Sequence, residues 1–425
     1  MKNIAIETIV GPLDYKASAD SAWPSYNDFI QGATSNDPII AKQIIDFRSS
    51  KFAEYYNATK SGNEIAENNQ KYQRQVFFDK EYKDSNACRV PWETMGVSAS
   101  GDVFICLSPA WVTRFAGNIL TATDVYADIL NSEEAQKIRQ EMVANRYYYC
   151  NNFICSHFNA TPKQNYVSAP TNDDSLKPLP FKTDPAYTID QIPGNLIFDF
   201  DFTCNYRCPS CRTKVINTNK HHVIRPINNN IASQVKRLIF DNIGTQPVSI
   251  RWAGGEPFIS DVYVDLLQYC IDSGKNNIRH IIQTNGSYLK SKGELVTYLL
   301  PHIEELRISF DAATADTYHQ VRVNGVWSNL LENVRWVMDL VNRTGAGVKI
   351  TADFVVQEDN YREIPAFAHL CNELGIANIN YQKMWNWDTW PAEELRRRSV
   401  WHEEHEKYSE VVDLLEQAKI IRENR

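Results

Sequence analysis

The sequence predicts an α/β protein built on an open, partial barrel of six β/α units, with a smaller α+β region before it. From about residue 195 onward, short apolar runs alternate with amphipathic stretches, several of which stop at glycine as helices commonly do. Such alternation implies parallel strands joined by right-handed crossovers, and six units are fewer than the eight of a closed barrel. Residues 80–160 differ, with turn chemistry at 100–102, a short strand at 103–106 and a helix near 132–144.

Composition divides the chain into five segments, which we predict as separate parts. Residues 1–79 are polar and mostly helical in pattern, residues 80–160 form the α+β region, and residues 161–192 have the polar, proline-containing composition of a linker. Residues 193–390 form the partial barrel, and residues 391–425 form a covering helix. The predicted barrel strands are residues 195–201, 248–253, 279–284, 304–310, 348–356 and 378–383.

Composition also restricts the partners. The 425 residues are 43% hydrophobic and 23% charged, as in ordinary globular proteins. The net charge of −8 disfavours a nucleic-acid partner, because such proteins present basic surfaces. No run approaches the roughly 20 apolar residues of a membrane-spanning helix, and Glu7 falls where a signal peptide would be apolar. We therefore predict a cytoplasmic protein without a membrane partner.

The nine cysteines are odd in number and too sparse for a disulfide scaffold, which favours metal binding or catalysis in a reducing compartment. Cys270 and Cys371 occupy apolar positions of predicted helices, where we expect buried, inert thiols. The other seven fall into two groups: Cys88, Cys106, Cys150 and Cys155, then Cys204, Cys208 and Cys211.

Cys204, Cys208 and Cys211 directly follow the first predicted barrel strand. A four-iron cluster takes one ligand per iron, so three cysteines leave one iron with an open position where a cofactor or substrate can bind. The alternative is a zinc or structural cluster site that a distant residue completes.

The loops after the next three strands are also unusual. Gly254-Gly255-Glu256-Pro257 follows the second strand, Asn285 the third and Asp311 the fourth. Barrel enzymes place their sites at the C-terminal ends of the strands. We therefore expect these loops to meet the three cysteines at one site.

The Cys-x3-Cys-x2-Cys loop resembles the signature of the radical S-adenosylmethionine (SAM) enzymes, and so does the glycine–glutamate loop. A further similarity is the Ser-x-Asp…Tyr-x3-Arg pattern that ends at Arg322. The resemblance covers about residues 193–390. It implies a [4Fe–4S] cluster whose open iron is chelated by SAM, and reductive cleavage of SAM to a 5′-deoxyadenosyl radical that abstracts hydrogen from a substrate.

The resemblance also implies residue roles. Gly254, Gly255 and Glu256 would cradle the SAM amino group, while Ser309 and Arg322 would meet its carboxylate. Asn285 and Asp311 are further candidates for SAM contacts, although an ordinary turn or cap explains each nearly as well.

The first cysteine group resembles the SPASM/twitch auxiliary domain. Cys88 and Cys106 match its opening, in which Gly101 stands five residues before the second cysteine, and Cys150 and Cys155 follow. Four cysteines saturate one [4Fe–4S] cluster, so the resemblance implies the shorter, one-cluster form, here placed before the radical SAM core. The alternative is a four-cysteine zinc ribbon.

We therefore predict a radical SAM oxidoreductase-type enzyme with SAM and two [4Fe–4S] clusters, one binding SAM and one auxiliary. Relatives with this architecture modify ribosomally made peptides, which is the role that we predict here. The alternative is a radical SAM dehydrogenase or epimerase that acts on a sugar or aminoglycoside. The expected partners are a substrate peptide or small polar molecule, and an electron donor such as flavodoxin or ferredoxin. The aromatic stretch 381–390 either lines a polar pocket or packs as a lid. An alternative from another class is a non-catalytic iron–sulfur electron carrier.

Overall fold

The computed structural model describes residues 88–109, 112, 114–144, 149, 180–212, 214–221, 224–384, 389–402 and 404–423. These residues form two compact units. The first contains the described residues of Phe29–Phe200 together with Pro226–Val248, and the second contains those of Asp201–Arg225 and Ser249–Arg425. The predicted helical region 1–79 and residues 161–179 of the predicted linker lie outside the described residues.

The first unit contains four strands in the order β3-β2-β1-β4. They are β1 (Thr94–Ser98), β2 (Asp102–Phe104), β3 (Gly117–Asn118) and β4 (Asn195–Asp199). β1 pairs antiparallel with β2 and parallel with β4, so the predicted α+β region shares a sheet with the first predicted barrel strand.

The helices of the first unit are α1 (Val90–Glu93), α2 (Glu133–Val143) and α3 (Ile224–Gln234), and α3 continues as a π-helical turn over Val235–Ile239. The helix predicted near 132–144 is confirmed as α2. It begins where the Ser132 side chain accepts a hydrogen bond from the Ala135 backbone N–H (3.1 Å), the usual N-cap contact.

The second unit contains five strands in chain order: β5 (Val248–Trp252), β6 (Ile278–Thr284), β7 (Ile303–Ser309), β8 (Lys349–Val356) and β9 (Asn378–Lys383). β6 to β9 pair in parallel. The helices are α4 (Asp261–Asp272), α5 (Gly293–Leu299), α6 (Ala315–Val321), α7 (Trp327–Thr344), α8 (Ile364–Glu373), α9 (Ala392–Arg398) and α10 (Tyr408–Glu423).

Each predicted barrel strand forms, and helices separate the strands, so the α/β fold class with a parallel sheet is confirmed. The reason is the apolar alternation of the strands: Leu306 and Ile308 of β7, with Ala352 and Phe354 of β8, are fully buried. In the part of the chain that the structure describes, no helix combines the length and apolar character needed to span a membrane.

Candidate metal and cofactor site

The three-cysteine loop folds into a compact turn in the second unit. The backbone N–H of Cys204 donates to the Ile216 carbonyl (2.8 Å), and the Cys211 N–H donates to the Cys208 carbonyl (2.9 Å). Cys204 and Cys208 are buried, whereas Cys211 is exposed. The loop therefore encloses two of its thiols and opens toward solvent at the third.

Asp201 fixes the start of this loop. Its carboxylate is fully buried and accepts hydrogen bonds from the Thr203 N–H (2.9 Å), the Thr218 hydroxyl (2.7 Å) and the Ser260 hydroxyl (2.6 Å). Ser260 also caps α4 by accepting a hydrogen bond from Tyr263 N–H (3.1 Å). One buried carboxylate thus joins both ends of the cysteine loop to the start of a helix.

The glycine–glutamate loop packs directly on the cysteine loop. A Cβ on Gly255 would overlap the carbonyl oxygen of Thr203, and Gly254 has φ of +93°, which favours glycine. The Glu256 N–H donates to the same Thr203 carbonyl (2.7 Å). Two neighbouring strand ends therefore meet through their backbones, as the sequence predicted.

The Glu256 carboxylate is engaged within the protein. Its Oε1 accepts from the Thr284 hydroxyl (2.7 Å), and its Oε2 accepts from the Asn285 backbone N–H (2.6 Å). Burial raises the pKa of Glu256 to about 7, although these hydrogen bonds oppose the rise. This side chain connects the loop after β5 to the end of β6.

Each cysteine sulfur lies close to one side-chain N–H donor. Asn285 Nδ2 is 3.8 Å from Cys204 Sγ, Arg322 Nη1 is 3.6 Å from Cys208 Sγ, and Arg212 Nη2 is 3.5 Å from Cys211 Sγ. Hydrogen bonds to the ligand sulfurs are one of the means by which proteins set the potential of an iron–sulfur cluster.

Arg212 is a site residue that the sequence interpretation missed. Its guanidinium donates to the Phe202 carbonyl (2.8 Å) and the Gly254 carbonyl (2.7 Å), which connects the two loops. Burial alone would lower the pKa of Arg212, but the three cysteine sulfurs raise it overall. The sequence did contain a signal for this role, namely an arginine directly after the last cysteine. Buried thiolates need a compensating cation, so an arginine at that position indicates a site residue.

Arg322 and Asp311 form a buried ion pair, with Arg322 Nη2 2.6 Å from Asp311 Oδ2. Asp311 adopts φ of +58° and also accepts a hydrogen bond from Val355 N–H (2.7 Å). The buried Nε of Arg322 has no hydrogen-bond partner among the described residues, so one donor is left for a ligand. Ser309 is buried at the end of β7.

The chemistry of this donor set fits an iron–sulfur cluster. Burial raises the pKa of Cys204, and raises that of Cys208 to about 11, so these ligands would lose their protons only when a metal binds. Among the described residues, no three His, Cys, Asp or Glu side chains are drawn together as a site for a single metal ion. The buried Arg212 and the mostly buried Arg322 supply positive charge beside the thiols.

The other cysteines are placed only in part. Cys88 and Cys106 are half-buried in the first unit, whereas Cys150 and Cys155 lie outside the described residues. The prediction that these four bind one cluster stays a prediction. Cys270 and Cys371 are buried in α4 and α8, as the sequence predicted for these two thiols.

Two protein-family models match the chain. Residues 202–371 match the model of the radical SAM superfamily, and residues 88–156 match that of SPASM, an iron–sulfur cluster-binding domain. Cys204, Cys208 and Cys211 lie within the first match, and the four upstream cysteines lie within the second. The chain thus contains a radical SAM domain, the kind of domain that binds SAM and a [4Fe–4S] cluster. It also contains a SPASM domain, the kind of domain that binds auxiliary iron–sulfur clusters.

Among solved structures, similar chains include "Native anSMEcpe with bound AdoMet", at 17% identity and a TM-score of 0.33. Another is "Native anSMEcpe with bound AdoMet and Cp18Cys peptide", also at 17% identity and a TM-score of 0.33. Each alignment covers 45% of this chain and 51% of the solved chain, about half its length. No curated protein matches the sequence.

Proposed function

We propose that the protein is a radical SAM enzyme that removes a hydrogen atom from a C–H bond of a peptide substrate. The observation that carries this proposal is the meeting of four strand-end loops around Cys204, Cys208 and Cys211, where Arg322 keeps a buried donor that no described residue engages. When bound, the cluster and SAM supply reductive cleavage of SAM and hydrogen-atom abstraction.

The side chains suggest two kinds of role at this site. Ser309 and the Arg322 Nε donor, which has no partner among the described residues, would contact the SAM carboxylate, because a guanidinium binds carboxylates well. The loop backbone at Gly254 and Gly255 would accept hydrogen bonds from the SAM amino group. Asp311 and Glu256 have their carboxylates engaged by Arg322 and by Asn285, so we assign them to positioning.

For the auxiliary domain we propose electron transfer. Cys88, Cys106, Cys150 and Cys155 would saturate one [4Fe–4S] cluster, which favours a redox role over substrate ligation. This cluster would accept the second electron of an oxidation, or pass electrons from a donor such as flavodoxin or ferredoxin. Thiolate-ligated clusters suit a reducing compartment, which agrees with a cytoplasmic location.

A mass-spectrometric assay tests the substrate proposal. Reduced, reconstituted protein and SAM would be incubated with candidate peptides and, separately, with sugar nucleotides. A peptide that loses the mass of two hydrogen atoms only when SAM is present supports oxidation or crosslinking. A peptide that takes up deuterium from D2O without any other change supports epimerisation. If only the sugar nucleotides change mass, the enzyme is a sugar dehydrogenase or epimerase and the peptide proposal fails.

A further inference from the structure

One face of strands β7 to β9 is polar where such sheets are usually apolar. Along β7, the buried Leu306 and Ile308 alternate with Glu305, Arg307 and Ser309. β8 repeats the pattern, and its polar positions are Lys349, Thr351 and Asp353. Parallel sheets are normally apolar on both faces, and barrel interiors are filled mainly by Val, Ile and Leu. A continuous polar face indicates that something other than core packing occupies this side.

Strand register aligns three of these polar residues in one row. Ser309 of β7 lies opposite Asp353 of β8, and Asp353 lies opposite Asn380 of β9. Ser309 is the last residue of its strand, where the proposed SAM site begins. The row therefore extends from the proposed SAM site across the polar face.

Asp353 is 1% exposed, yet only half of its carboxylate is used. Oδ1 accepts a hydrogen bond from Asn380 Nδ2 (2.8 Å) and pairs with Arg307 Nη2 (3.2 Å). Burial raises the pKa of Asp353, and a hydrogen bond from the Gln382 side chain to this carboxyl opposes the rise. The Oδ2 atom itself has no hydrogen-bond partner among the described residues. The buried Nε of Arg307 is likewise without a partner among the described residues. Burying an unsatisfied polar group is unfavourable, so a ligand that satisfies both groups would be favoured.

There is space beside Arg307 and Asn380, the two side chains that contact Asp353. A cavity of about 590 Å³ is lined by Arg307, Thr351, Asn378 and Asn380, and α10 closes part of it. This volume lies within the range of small-ligand sites. The cavity therefore adjoins the two side chains that hold the Asp353 carboxylate, and Arg307 Nε is a donor that no described residue engages.

We propose that Asp353 determines substrate specificity by accepting, at Oδ2, a hydrogen bond from a hydroxyl, amine or amide N–H of the substrate. Arg307 donates to an acceptor next to that group. The inference rests on the proposed function and narrows its substrate to one that presents a hydrophilic group to the site. An apolar side chain would leave both buried groups unsatisfied.

Equilibrium dialysis of the reconstituted holoenzyme with SAM tests this subsite. The hydrophilic probes are UDP-N-acetylglucosamine and an acetylated, amidated tetrapeptide of Ser, Asn, Gly and Ser, which separate a sugar from a peptide source. The apolar probe is an acetylated, amidated tripeptide of Leu, Val and Leu. The variants are Asp353→Asn, Arg307→Gln and, as a matched control, Asp339→Asn, whose carboxylate is exposed on α7.

In Asp353→Asn, the amide oxygen must face Arg307, so an N–H donor replaces the Oδ2 acceptor. We expect a hydrophilic probe to bind the wild type and Asp339→Asn alike, and to bind Asp353→Asn at least roughly tenfold more weakly, at unchanged SAM affinity. If Asp353→Asn does not fold by circular dichroism, the same loss is expected of Arg307→Gln.

Three results would overturn the inference: unchanged probe affinity in the variants, binding of neither hydrophilic probe, or preference for the apolar probe. Failure of the proposed function is recognised separately, because the wild type would then form no 5′-deoxyadenosine from SAM.

Discussion

Asp311 holds Arg322 against the cysteine loop. The carboxylate lies 2.6 Å from Arg322 Nη2, and the same guanidinium places Nη1 3.6 Å from Cys208 Sγ. The two charges compensate each other where both are largely shielded from water, so the arginine is fixed before any cofactor binds. This pair gives the site a preformed cation at the most buried of its three cysteines.

Substituting Asp311→Asn should destabilise the apo protein strongly. The change leaves the Arg322 charge buried without its partner, which typically costs about 3–5 kcal/mol. Urea unfolding measures the loss. The control is Asp339→Asn, which breaks an exposed pair with Arg343 and should change stability by about 0–1 kcal/mol. Equal effects of the two substitutions would refute a structural role for the buried pair.

Arg212→Gln should shift the reduction potential of the SAM-binding cluster to a more negative value. The substitution removes a buried positive charge 3.5 Å from Cys211 Sγ, and positive charge favours the reduced, more negative cluster. A redox titration followed by electron paramagnetic resonance provides the readout, with iron content measured in parallel. Arg212→Lys should recover part of the shift, because lysine keeps the charge but cannot reach both carbonyls. Arg225→Gln is the control at a half-exposed arginine, and a potential that stays constant across all variants would be evidence against this role.

Gly255→Ala should disrupt the contact between the two loops. The added methyl group would overlap the Thr203 carbonyl oxygen and lie 2.7 Å from the Phe202 carbonyl carbon, so the backbone must move. Overpacking of this kind costs about 1–3 kcal/mol or more, and SAM binding by the holoenzyme should weaken with it. Gly347→Ala is the matched control, since its Cβ would meet nothing within 4 Å. Normal stability and SAM affinity in Gly255→Ala would show that the close approach is not required.

His280 predicts a pH dependence of stability. Burial lowers its pKa to about 3, and its Nδ1 accepts a hydrogen bond from Trp252 Nε1 (3.1 Å). Below pH 6.5 the unfolded chain takes up a proton that the folded protein does not. The contribution of neutral His280 to the free energy of unfolding is therefore complete above pH 6.5. It decreases by roughly 1.4 kcal/mol per pH unit as the pH falls toward 3.

Urea unfolding of the apo protein between pH 7 and pH 4.5 measures this dependence. His280→Gln keeps an acceptor for Trp252 and should flatten the profile. The exposed His369→Gln should leave it as in the wild type. A wild-type slope in His280→Gln would exclude His280 as the cause.

The sequence was informative wherever the decisive interaction is local. Apolar alternation marks the strands, so each predicted barrel strand begins within one residue of its observed start. The close approach of the loop at Gly254 and Gly255 could be predicted, because a backbone position without room for a Cβ requires glycine. In contrast, the parallel pairing of β1 with β4 joins segments about 100 residues apart, and no local pattern encodes it.

The hydrogen-bond partners of the site's side chains also could not be predicted from the sequence. Glu256 looked like a ligand carboxylate, but only the fold reveals that Thr284 and Asn285 use both of its oxygens. Asp201 lies inside an apolar segment, and its contacts to Thr218 and Ser260 depend on chain segments that meet only after folding. Such partners are set by tertiary structure rather than by spacing along the chain.

The central claim is that Cys204, Cys208 and Cys211 hold a cluster at which SAM is cleaved. Anaerobic reconstitution, iron counting and a 5′-deoxyadenosine assay with dithionite and SAM test it most directly, with Cys208→Ala compared to Cys270→Ala, a buried cysteine outside the site. We expect about eight irons per chain and deoxyadenosine formation in the wild type and Cys270→Ala, and no deoxyadenosine in Cys208→Ala. Bound zinc, or about four irons without SAM cleavage in the wild type, would contradict the claim.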